Sequence, residues 1–170
     1  MQLVPASLEP PVGLEAFLVE VGRGEAGFGG TDFEPGKETL ADFLLRLVDR
    51  SHGRRLEPGS VPFTTYWLLD GDGDIAGMCR LRHELNDDML NHGGHIAYYV
   101  RTSARGKGYG TAILALTLAV GRDRGIERFL ITVYSDNEPS IRVIEGNGGV
   151  FEDERIWEET GQPFRRYWIG

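Results

Sequence analysis

The chain has 170 residues, a length suited to a single domain spanning 1–170, and its 41% hydrophobic and 10% aromatic content is enough to fill a core. A formal net charge of -8 and a pI near 5.0 set the surface against nucleic acid and anionic membranes and toward cationic partners such as amines. One cysteine, Cys79, leaves no intrachain disulfide to form, and neither a leader-like start nor a run of membrane-spanning length stands out, so a cytoplasmic protein is expected.

After Pro10 and Pro11, the spacing of Leu14, Phe17, Leu18 and Val21 predicts a first helix. The glycine-rich stretch from Gly22 to Gly36 reads as a loop. A second, amphipathic helix follows, with Leu40, Phe43, Leu44, Leu47 and Val48 on one face, suited to packing on a sheet. Phe63 to Leu69 and Ile75 to about His83 read as a hairpin around Asp70-Gly71-Asp72-Gly73-Asp74. That turn lacks the glycine and glutamate of a calcium loop, since Ile75 and Leu81 hold those places. His95 to Val100 is a third strand. Beyond a second glycine-rich turn, an almost wholly apolar and therefore buried helix is predicted from about Thr111 to Val120. Phe129 to Tyr134 is β-rich, Pro139 to Glu145 a short helix stopped by Gly146-Asn147-Gly148-Gly149, and Val150 to Trp157 with Arg165 to Ile169 a closing antiparallel pair. Strand, helix and strand at the centre make a βαβ unit, which predicts a right-handed crossover and a parallel pair.

The turn between strand and helix reads Arg105-Gly106-Lys107-Gly108-Tyr109-Gly110. Glycines let several backbone N–H groups converge without Cβ obstruction, the helix start adds partial positive charge, and Arg105 and Lys107 add full charges, a combination that suits a diphosphate. A Walker A loop requires another order of residues. A dinucleotide turn requires its third glycine one residue later and an acid about 20 positions on, where Leu130 stands.

The remaining pattern, Arg105-x-x-Gly108-x-Gly110, resembles the Arg/Gln-x-x-Gly-x-Gly/Ala signature with which GNAT acyltransferases cradle the pyrophosphate of coenzyme A. The resemblance continues through Asn137-x-x-Ser140 and Ile144-Glu145-Gly146-Asn147-Gly148-Gly149, covering about 93–151, with wider context in His83-Glu84-Leu85-Asn86 and Arg166-Tyr167-Trp168-Ile169. It implies an α/β (α+β mixed) fold, a central twisted and mostly antiparallel sheet with a parallel pair at its middle and helices on both faces. It implies acetyl-CoA as co-substrate, no metal, and transfer of an acetyl group to a primary amine of a small molecule, peptide or protein. The alternative is a non-catalytic acyl-CoA-binding or sensor domain. By the same resemblance Val100 offers backbone groups to the pantetheine and an oxyanion-stabilising amide, Arg105, Gly106, Lys107, Gly108, Tyr109 and Gly110 hold the pyrophosphate, and Asn137 and Ser140 flank the cofactor arm.

Two family features are missing. Gly93-Gly94-His95 stands where many members carry an early-strand carboxylate, and Ile144 where many carry a tyrosine. His95, with an ordinary pKa near neutrality, and Glu84, at the end of the neighbouring strand, are candidate bases, and antiparallel pairing brings those strand ends together. Tyr134 is a candidate proton donor. His92, His95 and Cys79 make no zinc set, Cys79 reads as a small buried hydrophobe, and Glu152, Asp153, Glu154, Glu158 and Glu159 read as a mostly solvated face. The aromatic segment Phe164 to Ile169, expected near a sheet edge, suggests a homodimer.

Overall fold

A computed structural model describes residues 1–170. Four strands, β1 (Gln2–Pro5), β2 (Phe63–Leu69), β3 (Ile75–Arg82) and β4 (Ile96–Val100), form one antiparallel sheet in chain order. Three more, β5 (Phe129–Tyr134), β6 (Val150–Ile156) and β7 (Pro163–Ile169), form a second in the order β5-β7-β6. Helices α1 (Leu14–Val21) and α2 (Leu40–Ser51) cover one face of the first sheet, where Phe17, Phe43, Trp67, Met78 and Tyr99 share a core. Helices α4 (Tyr109–Asp123) and α5 (Glu138–Gly146) cover the other face, packing Ile113, Leu114, Leu118 and Ile144 on Tyr66, Leu81, Phe129 and Ile131. A short α3 (Asp87–Asn91) precedes β4. The alternation of inward residues along β2 and β3 feeds these two cores in turn.

The parallel pair expected at the centre is not formed as a ladder. β4 and β5 touch only at their starts, where the His95 N–H donates to the Leu130 carbonyl at 2.7 Å and Gly94 bridges Ile131, a single bridge of antiparallel type. Beyond it the two strands share no ladder and the sheet opens. Gly94 makes that joint feasible, because its φ is 62° and a Cβ there would lie 2.4 Å from the Leu130 oxygen.

Other expectations change in detail. The periodicity signal missed β1, which is short, and α3, which is a single turn capped by Asn86. The helix predicted as buried on most sides is amphipathic: Ile113, Leu114, Thr117 and Leu118 are buried, while Ala115 and Ala119 face out, because alanine suits a helix surface as well as a core. The aromatic segment in β7 is not at an edge. It lies between β5 and β6, which buries Phe164, Tyr167 and Ile169, and the edge strand is β6 with Val150, Phe151 and Ile156 exposed. The acidic run is largely a cross-strand ion network, with Glu152 and Asp153 on Arg166 and Glu154 on Arg165. The aspartate turn is closed by Asp70, whose carboxylate accepts from Asp72 and Asp74 N–H. No helix is long and apolar enough to cross a membrane.

Candidate active site

The opening between the sheets has a polar lining supplied by main chain. The Arg82 N–H donates to the His95 carbonyl and the Arg101 N–H to the Ala76 carbonyl, which fixes the phase of the β3–β4 ladder. In an antiparallel pair that phase turns the N–H and C=O groups of Ile96, Tyr98 and Val100 away from β3. They face the gap toward β5, where no strand pairs with them. Val100, proposed from sequence as an amide donor, sits at the open end, and its carbonyl accepts from Arg105 Nε at 3.0 Å.

The glycine turn follows directly. Helices α2, α3 and α5 each begin with a side chain on a first-turn amide: Thr39 on Asp42, Asn86 on Met89, Asn137 on Ser140. Helix α4, like α1 at Gly13, begins instead at a left-handed glycine with no side-chain cap, Gly108 with φ 82°. Its first main-chain bond is from Ala112 to the Gly108 carbonyl, so the N–H groups of Gly106, Lys107, Gly108, Tyr109, Gly110 and Thr111 have no acceptor in the chain. Space above Gly106 and Gly108 is open, with nothing within 4 Å of where a Cβ would stand. Gly110 serves packing, since a Cβ there would press on Val143 of α5 at 3.2 Å. A run of unpartnered N–H groups at a helix start, with open space above it, is suited to an anion.

The surrounding side chains are engaged. Arg105 is ion-paired with Glu25, and Lys107 Nζ donates to the Ser103 carbonyl at 2.9 Å. Asn137 caps α5 with its oxygen, accepting from Ser140 N–H at 3.2 Å, and donates its amide to the Ala26 carbonyl at 3.0 Å. Glu25 and Ala26 belong to the α1–α2 loop, which thereby lies across the mouth of the opening. Gly27 in that loop rests on Tyr134, where an added Cβ would meet the ring at 3.1 Å.

The titratable candidates do not share one pocket. Glu84 is exposed, and His83 turns to Thr64, 2.8 Å from Nε2 to Oγ1. His95 is buried, and its Nδ1 accepts from the Leu130 N–H at 2.9 Å, which leaves the ring proton of the neutral form on Nε2. Burial, with the Arg82 charge acting in the same sense, pushes its pKa down to about 4. Tyr134 stands at the end of β5, in a loose stack with His92 and Trp157. Tyr98 escaped the sequence reading. Its hydroxyl is buried near Ser140 with no hydrogen bond, and burial raises its pKa. The signal was the adjacent pair Tyr98-Tyr99, of which strand alternation must send one ring to each face. Cys79 is fully buried against Thr117, its thiol pushed up to about 12, so it is no nucleophile.

The His95 clasp predicts an acid-sensitive fold. A folded pKa near 4 against 6.5 unfolded means that protonation favours unfolding, so its contribution is complete above pH 6.5 and is lost as pH falls toward 4. The contribution at stake is up to about 3 kcal/mol. Urea unfolding between pH 7 and 4 is expected to show a shallower loss for His95→Gln, which retains an acceptor for Leu130 but does not titrate. Identical pH profiles would refute this role.

A split sheet with free amides along one strand, followed by an uncapped glycine-rich helix start, is the arrangement that the resemblance to GNAT acyltransferases leads one to expect. The chain belongs to the Acetyltransferase (GNAT) family, which matches residues 34–148, well over half of it. Its fold matches ribosomal-protein-alanine N-acetyltransferase from Brucella melitensis (TM-score 0.68, 17% identity, covering 99% of each chain). It also matches yncA from Salmonella typhimurium, a provisionally assigned acetyltransferase solved with its cofactor acetyl-CoA (TM-score 0.67, 12% identity, covering 99% of this chain and 92% of that one). By sequence it is similar to YwnH of Bacillus subtilis (strain 168), a provisionally assigned phosphinothricin acetyltransferase, with 24% identity over 83 residues. That alignment spans 49% of this chain and about half, 51%, of YwnH.

Proposed function

We propose that residues 1–170 act as one N-acetyltransferase domain that moves an acetyl group from acetyl-CoA to a primary amine. The observation that carries this reading is the run of unpartnered N–H groups from Gly106 to Thr111, placed directly beyond a strand whose gap-facing amides are also free. Acetyl-CoA supplies the acetyl group as an activated thioester. In the balanced step an amine N–C bond forms, the thioester C–S bond breaks, and one amine proton ends on the sulfur.

The Gly106–Thr111 amides, with Lys107 and Arg105, would hold the pyrophosphate, Arg105 exchanging Glu25 for it. Asn137 and Ser140 would flank the pantetheine arm. The Val100 N–H faces the gap and is suited to stabilise negative charge building on the thioester oxygen, a service worth roughly 3 kcal/mol. The engagement of His95 by Leu130 and the exposure of Glu84 support loss of the amine proton to water rather than to either side chain. For the proton delivered to sulfur, the unpartnered hydroxyl of Tyr98 joins Tyr134 as donor.

The binding-only reading draws on Ile144, which is buried in the core where many relatives place a tyrosine. Incubation with acetyl-CoA and a panel of primary amines separates the two. Amine-dependent release of free CoA with an acetylated product is expected, whereas tight CoA binding without turnover on any amine would establish the binding domain instead. Tyr98→Phe or Tyr134→Phe is expected to lower kcat tenfold to a hundredfold, identifying the donor. Full kcat in both variants would remove tyrosine from the proton route.

A further inference from the structure

Of the four histidines, three have a ring nitrogen engaged by the chain: His52 Nδ1 with the Val48 carbonyl, His83 Nε2 with Thr64 Oγ1, and His95 Nδ1 with the Leu130 N–H. His92 is the exception. No hydrogen bond of the chain reaches either of its ring nitrogens, and both stay open to solvent although the residue is half-buried. Packing fixes the ring instead. Trp157 lies nearly parallel to it, 4.2 Å away between centroids at 16°, and Phe164 meets it edge-on at 4.7 Å and 80°. The main chain around it is also held: the His92 N–H donates to the Asp88 carbonyl, Gly93 N–H to Thr132 Oγ1 and Gly94 N–H to the Met89 carbonyl. An oriented imidazole with both nitrogens unspent is equipped to exchange a proton with a group outside the chain.

Its place is beside the acyl-transfer gap. In β5, Ile131 and Val133 enter the core under α4 and α5, so Thr132 and Tyr134 face the α1/α2 side. His92 sits over that face, its ring centroid 6.5 Å from that of Tyr134. Tyr134 is level with Tyr99 across the gap, since each lies four residues beyond the joint where His95 meets Leu130. Adjacent residues of the α1–α2 loop confirm the level: Gly27 rests on Tyr134, and Phe28 packs on Tyr99 at 5.8 Å between ring centroids. The gap-facing amides of Tyr98 and Val100 flank Tyr99.

We infer that His92 is the proton acceptor of the transfer: through one water, its imidazole takes the proton that an ammonium must shed before the amine attacks the thioester. The inference rests on the transferase reading above and says where the proton released to water goes. The ammonium N–H bond breaks with its electron pair left on nitrogen, an N–H bond forms on His92, and the imidazolium returns that proton to solvent. A second amine proton, lost after attack, is the one that ends on sulfur. The charges facing the ring are Arg82 from β3 and Glu159 from the β6–β7 turn. Tyr134 is its titratable neighbour on β5, β7 presents Phe164, and Arg155 of β6 is held by Asp153 and by Asn91 of α3. Burial and Arg82 outweigh Glu159 and lower the His92 pKa from 6.5, so the ring is neutral and able to accept at pH 7.

The test is the pH dependence of kcat/KM for primary alkylamines, measured as CoA release from pH 5.5 to 9 in wild type and in His92→Phe, which keeps a ring against Trp157 and Phe164 but cannot titrate. With His92 as acceptor, the wild-type rate is expected to fall below pH 6.5 and to be level above it. The variant must wait for the amine to lose its proton in bulk water, so its rate should climb about tenfold per pH unit, from about a hundredfold below wild type at pH 7 to within about threefold at pH 9. CoA affinity should be unchanged. In His92→Ala, added imidazole should restore at least a fivefold gain by entering the place left between the rings. A deficit of the same factor at every pH, without rescue by imidazole, would mean that His92 only supports the packing of the site and overturns the inference. A variant within threefold of wild type throughout does so too. If wild type binds CoA and turns over no amine, the transferase reading itself fails and this inference falls with it, whereas turnover that ignores His92 removes the inference alone.

Discussion

Replacing Gly108 by aspartate is expected to weaken coenzyme A binding about a thousandfold while leaving the chain folded. The reason is local. Gly108 opens α4 at φ 82°, a conformation that costs a non-glycine residue about 1 kcal/mol, and a Cβ there meets nothing within 4 Å, so the protein itself tolerates the change. The ligand does not. A carboxylate at that point stands among the N–H groups of Gly106 to Thr111, where it competes for the donors and repels the diphosphate. Loss of two charge-assisted hydrogen bonds at about 2 kcal/mol each corresponds to a factor of about a thousand. Gly108→Ala, with the same backbone cost and no charge, is expected to lose far less. Calorimetric titration of CoA into both variants checks this, and a Gly108→Asp protein that is folded and binds within tenfold of wild type would exclude the turn as the pyrophosphate site.

The second large effect belongs to Gly94, where the two sheets meet. An alanine Cβ there would lie 2.4 Å from the Leu130 oxygen, 2.9 Å from its carbonyl carbon and 3.2 Å from the Ile131 Cα. All three are main chain of β5, which is buried and paired to β7, so none can swing away as a side-chain tip can. The positive φ of 62° adds its own strain. Together these are expected to destabilise Gly94→Ala by about 4 kcal/mol, which at this chain length is a fall in Tm of about 10 °C. Gly106→Ala is the control, having a similar φ of 73° with open space around it, and should lose only about 1 kcal/mol. Equal losses in the two variants would show that the backbone conformation, and not the close approach of β4 and β5, governs the cost. A surviving Gly94→Ala protein should also lose acetyl transfer, because the gap opens from this joint.

The sequence by itself determined most of the element order and the cofactor turn, because both are written locally. Helical spacing in Phe43, Leu44 and Leu47 and the β-prone aromatic and threonine run from Phe63 to Leu69 need only neighbouring residues to be legible. Arg105 to Gly110 is likewise continuous, and its glycines state their own backbone requirement. Tertiary structure alone decided the rest, since those features join residues distant along the chain. His95 reads as a base until Leu130, 35 positions later, is seen to donate to it. Arg105 reads as a free cation until Glu25 is found beside it. The segment Phe164 to Ile169 reads as an edge until β5 and β6 close on both its sides. Nothing periodic in the sequence marked Arg80 and Arg82 as withdrawn from solvent with no carboxylate within reach. That absence is a property of the packed interior, where burial strips water from a charge and leaves the fold to replace it.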